Sequence, residues 1–550
     1  MFMRTLIAVG VICASTIPAL AQPVKPTAVI TAKPLSRLLT DYREMIRQVG
    51  GPSGDQLVVV FDDQIKEALG DQGFEGFDIN RPIAAYTFVK EKFEDSNPIL
   101  VVPVSGEKEF LAFMKRMKWE ANAVKDKKGL YMLRVRGLDF LPNDSYVQFV
   151  DNWAYVGLNG DDVSDPKNRL PVESLFENAD LSLFTVKFFP GRFPEKLLKE
   201  WLEKIDAQAN TIKGFLAGGG GPAPEVIKMM QAFLEEGPKL LRRFGETGIK
   251  EAEEIRAQFS WEPANGDTVT EVTLVPKAGS PLAKEIAAKA ATIHRFAGWK
   301  HPNAVFAGAV KVPLFAKELR EIIATAPAAI EAGLKTGNVP EPFLPLLEEV
   351  AKSATQTIKK SELDAAVALV GPDKNGKFTL VAAMSMADTT AIDKALRQTA
   401  KDGDLAKEFK FDVEKVGGVS IHKVPIARAF HDEALRELSK AFGEYPPAFV
   451  ALAKDAAYLS FGPEGLEAIK TALEAKPGPA PVLEVTGNTS RFQKLLAATA
   501  GAQEADTFAK LIGSEDKLAS LVRVTVEGGQ TLKAKATVNL NYLPRLQLLP

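Results

Sequence analysis

Four histidines are the first residues to weigh, because imidazole readily moves protons or holds a metal near neutral pH. They are His294, His301, His422 and His431. None stands in HxH or HExxH spacing, and none has a neighbouring carboxylate pattern that would complete a metal site. His422 lies in the alternating run GVSIHKV, and the matching place elsewhere in the chain holds Leu133 or Arg134. A residue exchanged in that way is a poor shared catalyst. His431 precedes Asp432 and Glu433 at a helix start, where capping and the helix dipole account for the acids. No GxSxG elbow and no SxxK with plausible partners is present. GDQGFEG, from Gly70, lacks the preceding strand of a dinucleotide site, and Gly218 to Gly221 lead to no Gly-Lys-Ser/Thr. Asp161, Asp162 and Asp165 fall short of a calcium loop, which needs fixed alternation, a central glycine and a terminal glutamate. With 70 acidic residues, a glycosidase-like carboxylate pair has no signature that spacing would reveal. The expectation is a chain with no catalytic residues, no cofactor and no metal.

The elements that would position any site are written twice. AVITAKPLSRLLTDYREMI, from Ala28, parallels AVFAGAVKVPLFAKELREII, from Ala304. IAAYTFV, from Ile83, parallels DAAVALV, from Asp364, and GLYMLRV, from Gly129, parallels GVSIHKV, from Gly418. SYVQFVDNWAYVGLN, from Ser145, parallels AFVALAKDAAYLSFG, with Ala154-Tyr155-Val156 facing Ala457-Tyr458-Leu459. Both halves finish on a two-strand pattern, AQFSWEPANGDTVTEVTLV and LVRVTVEGGQTLKAKATV. Self-similarity in fixed order, at an offset of roughly 280 residues early, roughly 300 at the SYVQFVDNWAYVGLN pair and less again after it, is the mark of a structural repeat. The seam falls near GWKHPN.

Within each half the periodicities alternate. FLAFMKRM places Phe110, Leu111, Phe113, Met114 and Met117 at the spacing of one helical face. ILVVPV is a continuous apolar run, as for a central strand buried on both faces. Asn265-Gly266, Asn375-Gly376 and Gly528-Gly529 each sit between strand-like runs, where glycine supplies positive φ for a hairpin. The fold class expected is α+β, in two tandem homologous copies, each a mainly antiparallel sheet covered by helices. Residues 1–21 read as a signal peptide, 22–300 as the first copy and 301–550 as the second.

The leader MFMRTLIAVGVICASTIPALAQ has Arg4, an apolar run and a small-x-small site at Ala19-Leu20-Ala21. The run is roughly fifteen residues, short for a membrane span. Cleavage near Ala21 would remove Cys13, the only cysteine, and with it thiol catalysis, disulfides and cysteine-held metals. Export to the periplasm or beyond is expected. A formal net charge of −2 gives no drive toward nucleic acid, and no later segment reads as membrane-spanning. Clusters such as KRMKWE and LLRRF read as solvated helix faces.

The halves differ most at about 210–250, where the first carries an extra helical block. Val226, Met229, Met230, Phe233 and Leu234 make an apolar stripe behind the glycine run. Such stripes either pack on their own domain or offer an adaptable binding surface. The candidate binding residues are Met229, Met230 and Phe233, with Asp78 and Arg81 of the loop before IAAYTFV.

GFDINRPIAAYTFV followed by ILVVPVSGEKEFLAFM resembles a pattern in uncharacterised exported proteins of planctomycete-type bacteria. The resemblance covers residues 36–160, and the second half lacks the Gly and Arg-Pro of that loop. It implies export and the fold class, and carries over no functional residue. Three functions remain: an exported, non-enzymatic binding, interaction or structural module of the envelope; a carrier of an apolar, lipid-like ligand between sheet and helices; and a hydrolase with scattered residues. The partner is an unnamed protein or apolar ligand.

Overall fold

The computed structural model describes residues 25–92, 95–134, 145–176, 182–197, 199–200, 203, 250–263, 266–290, 292–299, 301, 303–313, 341–359, 362–401, 405–429, 432–512 and 521–539. These form two compact units, the first of residues 25–200 and 250–282 and the second of residues 283–538. GWKHPN therefore lies inside the second unit, where Phe296 joins the core. The fold is α+β.

In the first unit the strands are β1 (Ala28–Ala32), β2 (Ile83–Thr87), β3 (Ile99–Pro103), β4 (Glu120–Ala123), β5 (Leu130–Arg134), β6 (Ser145–Val150), β7 (Trp153–Gly157), β8 (Phe184–Phe188), β9 (Ala252–Glu262) and β10 (Asp267–Pro276). Their order across the sheet is β10-β9-β8-β1-β2-β3-β7-β6-β5-β4, antiparallel at every step. The second unit holds a short pair, β11 (Ile293–His294) with β19 (Gly478–Pro479). Its main strands are β12 (Ala304–Pro313), β13 (Glu362–Val370), β14 (Thr379–Ser385), β15 (Lys410–Val416), β16 (Val419–Val424), β17 (Ala448–Ala453), β18 (Ala456–Phe461), β20 (Leu483–Asn488), β21 (Leu521–Glu527) and β22 (Leu532–Asn539). Their order is β22-β21-β20-β12-β13-β14-β18-β17-β16-β15, again antiparallel throughout. Strand for strand, in chain order, the two sheets have one topology.

Local sequence explains the pieces. Helix Glu107–Arg116 starts with Glu107 and Glu109 and ends with Lys115 and Arg116, charges that match the helix dipole. It buries Phe110, Phe113 and Met114, whose spacing makes one face. The β6–β7 turn is Asp151-Asn152, with φ of 49° and 59°, a two-residue turn whose twist suits a hairpin and whose residue types tolerate it. Gly266, at φ 76°, closes the β9–β10 hairpin as Asn-Gly spacing demands.

Each sheet has a core on both faces. In the first unit Tyr86, Ile99, Val101, Trp153 and Tyr155 pack with Leu175 on one side. Phe110, Phe113 and Met114 cover Val147 and Ala154 on the other. In the second, Tyr458, Ala383 and Ala451 lie under Ile469 and Ala472 of helix Gly465–Glu474, while Leu396 and Phe461 pack on the opposite side. Full burial of each of the larger apolar side chains contributes about 2 kcal/mol.

Two readings need correction. ILVVPV is central in the sheet but alternates: Ile99 and Val101 are fully buried in the core with Val163 and Leu175, while Leu100 and Val102, which a strand turns to the opposite face, are only half-buried. The register inferred from sequence is also displaced. Counted through the ladders from Tyr155 and Tyr458, Ala84 takes the place of Ala366, so Ile83 does not match Asp364. The same count puts Tyr131, not Leu133 or Arg134, in the place of His422. Runs of alanine and valine allow several alignments of nearly equal quality; hydrogen-bond pairing chooses one.

Candidate functional site

Among the described residues, buried ionisable groups meet where a segment of the second unit crosses β12 and β13. Pairing of β11 with β19 fixes His294, which is fully buried. Asp364 stands at the start of β13, opposite Lys311 of β12, and is itself buried. His294 Nδ1 lies 3.2 Å from Asp364 Oδ1, and Lys311 Nζ lies 3.5 Å from Oδ2. The Arg295 backbone N–H donates to Asp364 Oδ2 at 3.0 Å, and Lys311 Nζ donates to the Ile293 carbonyl at 2.7 Å.

Distance alone would make the imidazole–carboxylate contact a hydrogen bond. Orientation does not: among the described residues neither ring nitrogen of His294 nor Asp364 Oδ1 has an aligned partner. The contact is electrostatic. Burial pushes the Asp364 carboxyl up, but His294, the Arg295 N–H and the Lys311 ammonium together outweigh it and hold the carboxyl below its ordinary range. A base beside an orienting acid resembles part of a catalytic triad, yet a ring with no exposure is closed to a substrate. The cluster's chemistry is that of a clamp, tying residues 293–295 to the sheet.

The other histidines also have structural partners. His301 accepts from the Trp299 indole N–H, and burial pushes its pKa down. His422 accepts the Asp412 backbone N–H at Nδ1, 3.0 Å away. His431 lies outside the described residues. Among the described residues no three His, Cys, Asp or Glu side chains converge as metal ligands would. The acidic trio is committed elsewhere: Asp161 meets Lys127, Asp162 accepts from Asn97 Nδ2 at 2.9 Å, and Asp165 accepts the Lys167 N–H at 2.9 Å.

Of the binding residues read from sequence, Met229, Met230 and Phe233 lie outside the described residues. Asp78 and Arg81 stand together in the first unit, each side chain about one-third exposed, with Arg81 Nε 3.5 Å from Asp78 Oδ2. Asp78 N–H donates to the Pro103 carbonyl at 3.1 Å, and its Oδ1 accepts the Asn80 N–H at 3.2 Å. Arg81 Nη2 donates to the Asn152 carbonyl at 3.0 Å, and its guanidinium lies 4.0 Å from the centre of the Trp153 ring. Gly76, at φ 110°, lets the backbone pass helix Glu107–Arg116 so closely that a Cβ would stand 2.9 Å from the Glu109 carbonyl oxygen. The glycine, aspartate and arginine of this loop thus stitch it to the end of β3 and to the β6–β7 turn.

Neither protein-family models, nor curated proteins, nor solved structures give a match. Among the described residues no helix is long and apolar enough to cross a membrane.

One surface was not legible from spacing. On helix Gly54–Leu69, Leu57, Val59 and Val60 are 46%, 57% and 51% exposed, while Val58 and Leu69 are buried. The string LVVVF carries a signal, in that a continuous apolar run on a helix cannot face one core entirely.

Proposed function

We propose that the chain is an exported, non-enzymatic binding or structural module built from two copies of one α+β unit. Duplication is supported by the identical order of ten antiparallel strands in each unit and by the residue-level register that runs out from Tyr155 and Tyr458. Export is supported by the leader with its Ala19-Leu20-Ala21 site. Between sheet and helices, Tyr86, Phe113, Phe296 and Phe378 are fully buried and fill the space an apolar cargo would need.

The observation that carries the binding reading is the exposed row Leu57, Val59 and Val60. Contiguous apolar patches on a folded surface mark contact sites, and these three side chains lie within about one turn of one helix. Replacing Val59 and Val60 by Glu in the full chain tests it, with crosslinking in the native envelope as readout. The wild type should give a discrete adduct that the variant loses at an unchanged melting temperature. Equal adducts from both, or none from the wild type, would remove the proposal.

A further inference from the structure

The edge of the second sheet carries a hydrogen bond that only an unprotonated histidine can accept. β15 pairs with β16 at Lys410–Lys423, then again from Glu414–Ile421, so an irregularity separates the two stretches. Within it Asp412 adopts φ 55°, a conformation aspartate tolerates but does not prefer. The Asp412 N–H points at Nδ1 of His422, at 3.0 Å, and His422 is only 3% exposed. Phe411 meets the ring edge-to-face at 5.1 Å, and Arg397 in turn lies 4.9 Å over Phe411. In the first unit the corresponding edge pair, β4 with β5, runs without a shift, and Tyr131 occupies the place of His422. Bulge and histidine occur together.

We propose that His422 is an acid-sensitive latch on the edge strand. Neutral, it accepts the Asp412 amide and holds the bulge. A proton taken from solvent onto Nδ1 removes the acceptor, sets a donor against the Asp412 N–H, and frees β15 from β16. Bulges on edge strands are a device for controlling pairing, so the latch governs whether this edge is closed or available.

The groups facing the ring determine its direction. Helix Thr390–Thr399 contributes Arg397, which opposes protonation, and Asp393, which favours it; Arg397 and Asp393 are bonded to each other at 2.9 Å. β15 contributes Asp412, which favours it, and β17 presents Val450, which carries no charge. Burial outweighs these charges and moves the histidine below its ordinary value. A base lowered on folding contributes stability fully above its unfolded value, about 6.5, and that contribution drains as pH falls toward the folded value. The Asp412 carboxyl is held below its ordinary range, chiefly by a bond to Ser420, so its own titration lies at much lower pH.

Hydrogen exchange of the full chain tests this, at about pH 7.5 and about pH 5.5, after correction for chemical exchange rate. Residues 408–416 should exchange about tenfold faster at the lower pH, while β17 and β18 keep their protection. His422→Asn keeps an amide oxygen near the Nδ1 position that does not titrate, and should leave residues 408–416 protected at both values. A wild type indifferent to pH in this range, or a His422→Asn chain that still responds, would overturn the latch. Should the variant lose protection throughout β16–β18, the wild-type midpoint decides. A midpoint in the histidine range supports the latch, and one in the carboxylate range overturns it.

Discussion

Two hairpins occupy the same place in the two sheets, and an arginine grips each turn by a different route. At Asp151-Asn152 the Asn152 carbonyl accepts both the Val104 N–H, at 3.1 Å, and Arg81 Nη2, at 3.0 Å. At Lys454-Asp455 the Asp455 carbonyl accepts the Met386 N–H at 2.9 Å, but Arg295 takes the Asp455 carboxylate, at 2.6 Å. Arg81 reaches its turn from the loop before β2, and Arg295 from the segment after β11. Anchoring the turn is what the architecture requires; which residue supplies the anchor is free to change. Gly76, Asp78 and Arg81 look like a site motif because one half has them and the other does not. The comparison assigns them to this anchoring task, performed in the second half by Arg295 and the Asp364 clamp behind it.

The largest effect should come from that clamp. Asp364→Ala removes a buried carboxylate from His294, the Arg295 N–H and the partly exposed Lys311 ammonium, and should cost the second unit about 3 kcal/mol in a denaturant melt. The pH dependence has a definite sign. Because the carboxyl is held low in the fold, its contribution is present above the ordinary carboxylate value and is lost as pH falls through the folded value. The variant should therefore show a flatter acid limb than the wild type.

Arg81→Ala comes next. It removes a charge-assisted bond to the Asn152 carbonyl and the stacking on Trp153, about 2 kcal/mol together, read as a lower melting temperature of the first unit. A loss of partner binding without loss of stability would instead restore Arg81 as a contact residue. The smallest effect belongs to Asp455→Ala. That carboxylate is 64% exposed, so solvent screens its pairing with Arg295 and the cost should stay below about 1 kcal/mol. A cost equal to that of Arg81→Ala would mean that the two grips are energetically alike.

Much of the architecture was legible because strands and turns obey local rules. The strand–turn–strand blocks around Tyr155 and Tyr458, the turn at Gly266 and the Phe110, Phe113 and Met114 face are all short-range patterns, and these reappear in the fold; the helical end of AVFAGAVKVPLFAKELREII lies outside the described residues. Register was not legible, since GLYMLRV and GVSIHKV can be slid by two residues without spoiling their alternation. Pairing across strands puts Tyr131 where His422 stands. The clamp was invisible for another reason: Arg295 and Asp364 are 69 residues apart, and His294 has no acid near it in sequence. The latch at His422 was hidden because its partner is a backbone amide in a bulge, which no residue type announces.

The repeat itself is tested most directly by an experimentally determined structure in which one unit is superposed on the other. The account predicts that all ten strands coincide in the same order and direction, with Tyr155 on Tyr458 and Ala84 on Ala366. A strand displaced to another position in either sheet, or reversed in direction, would contradict it.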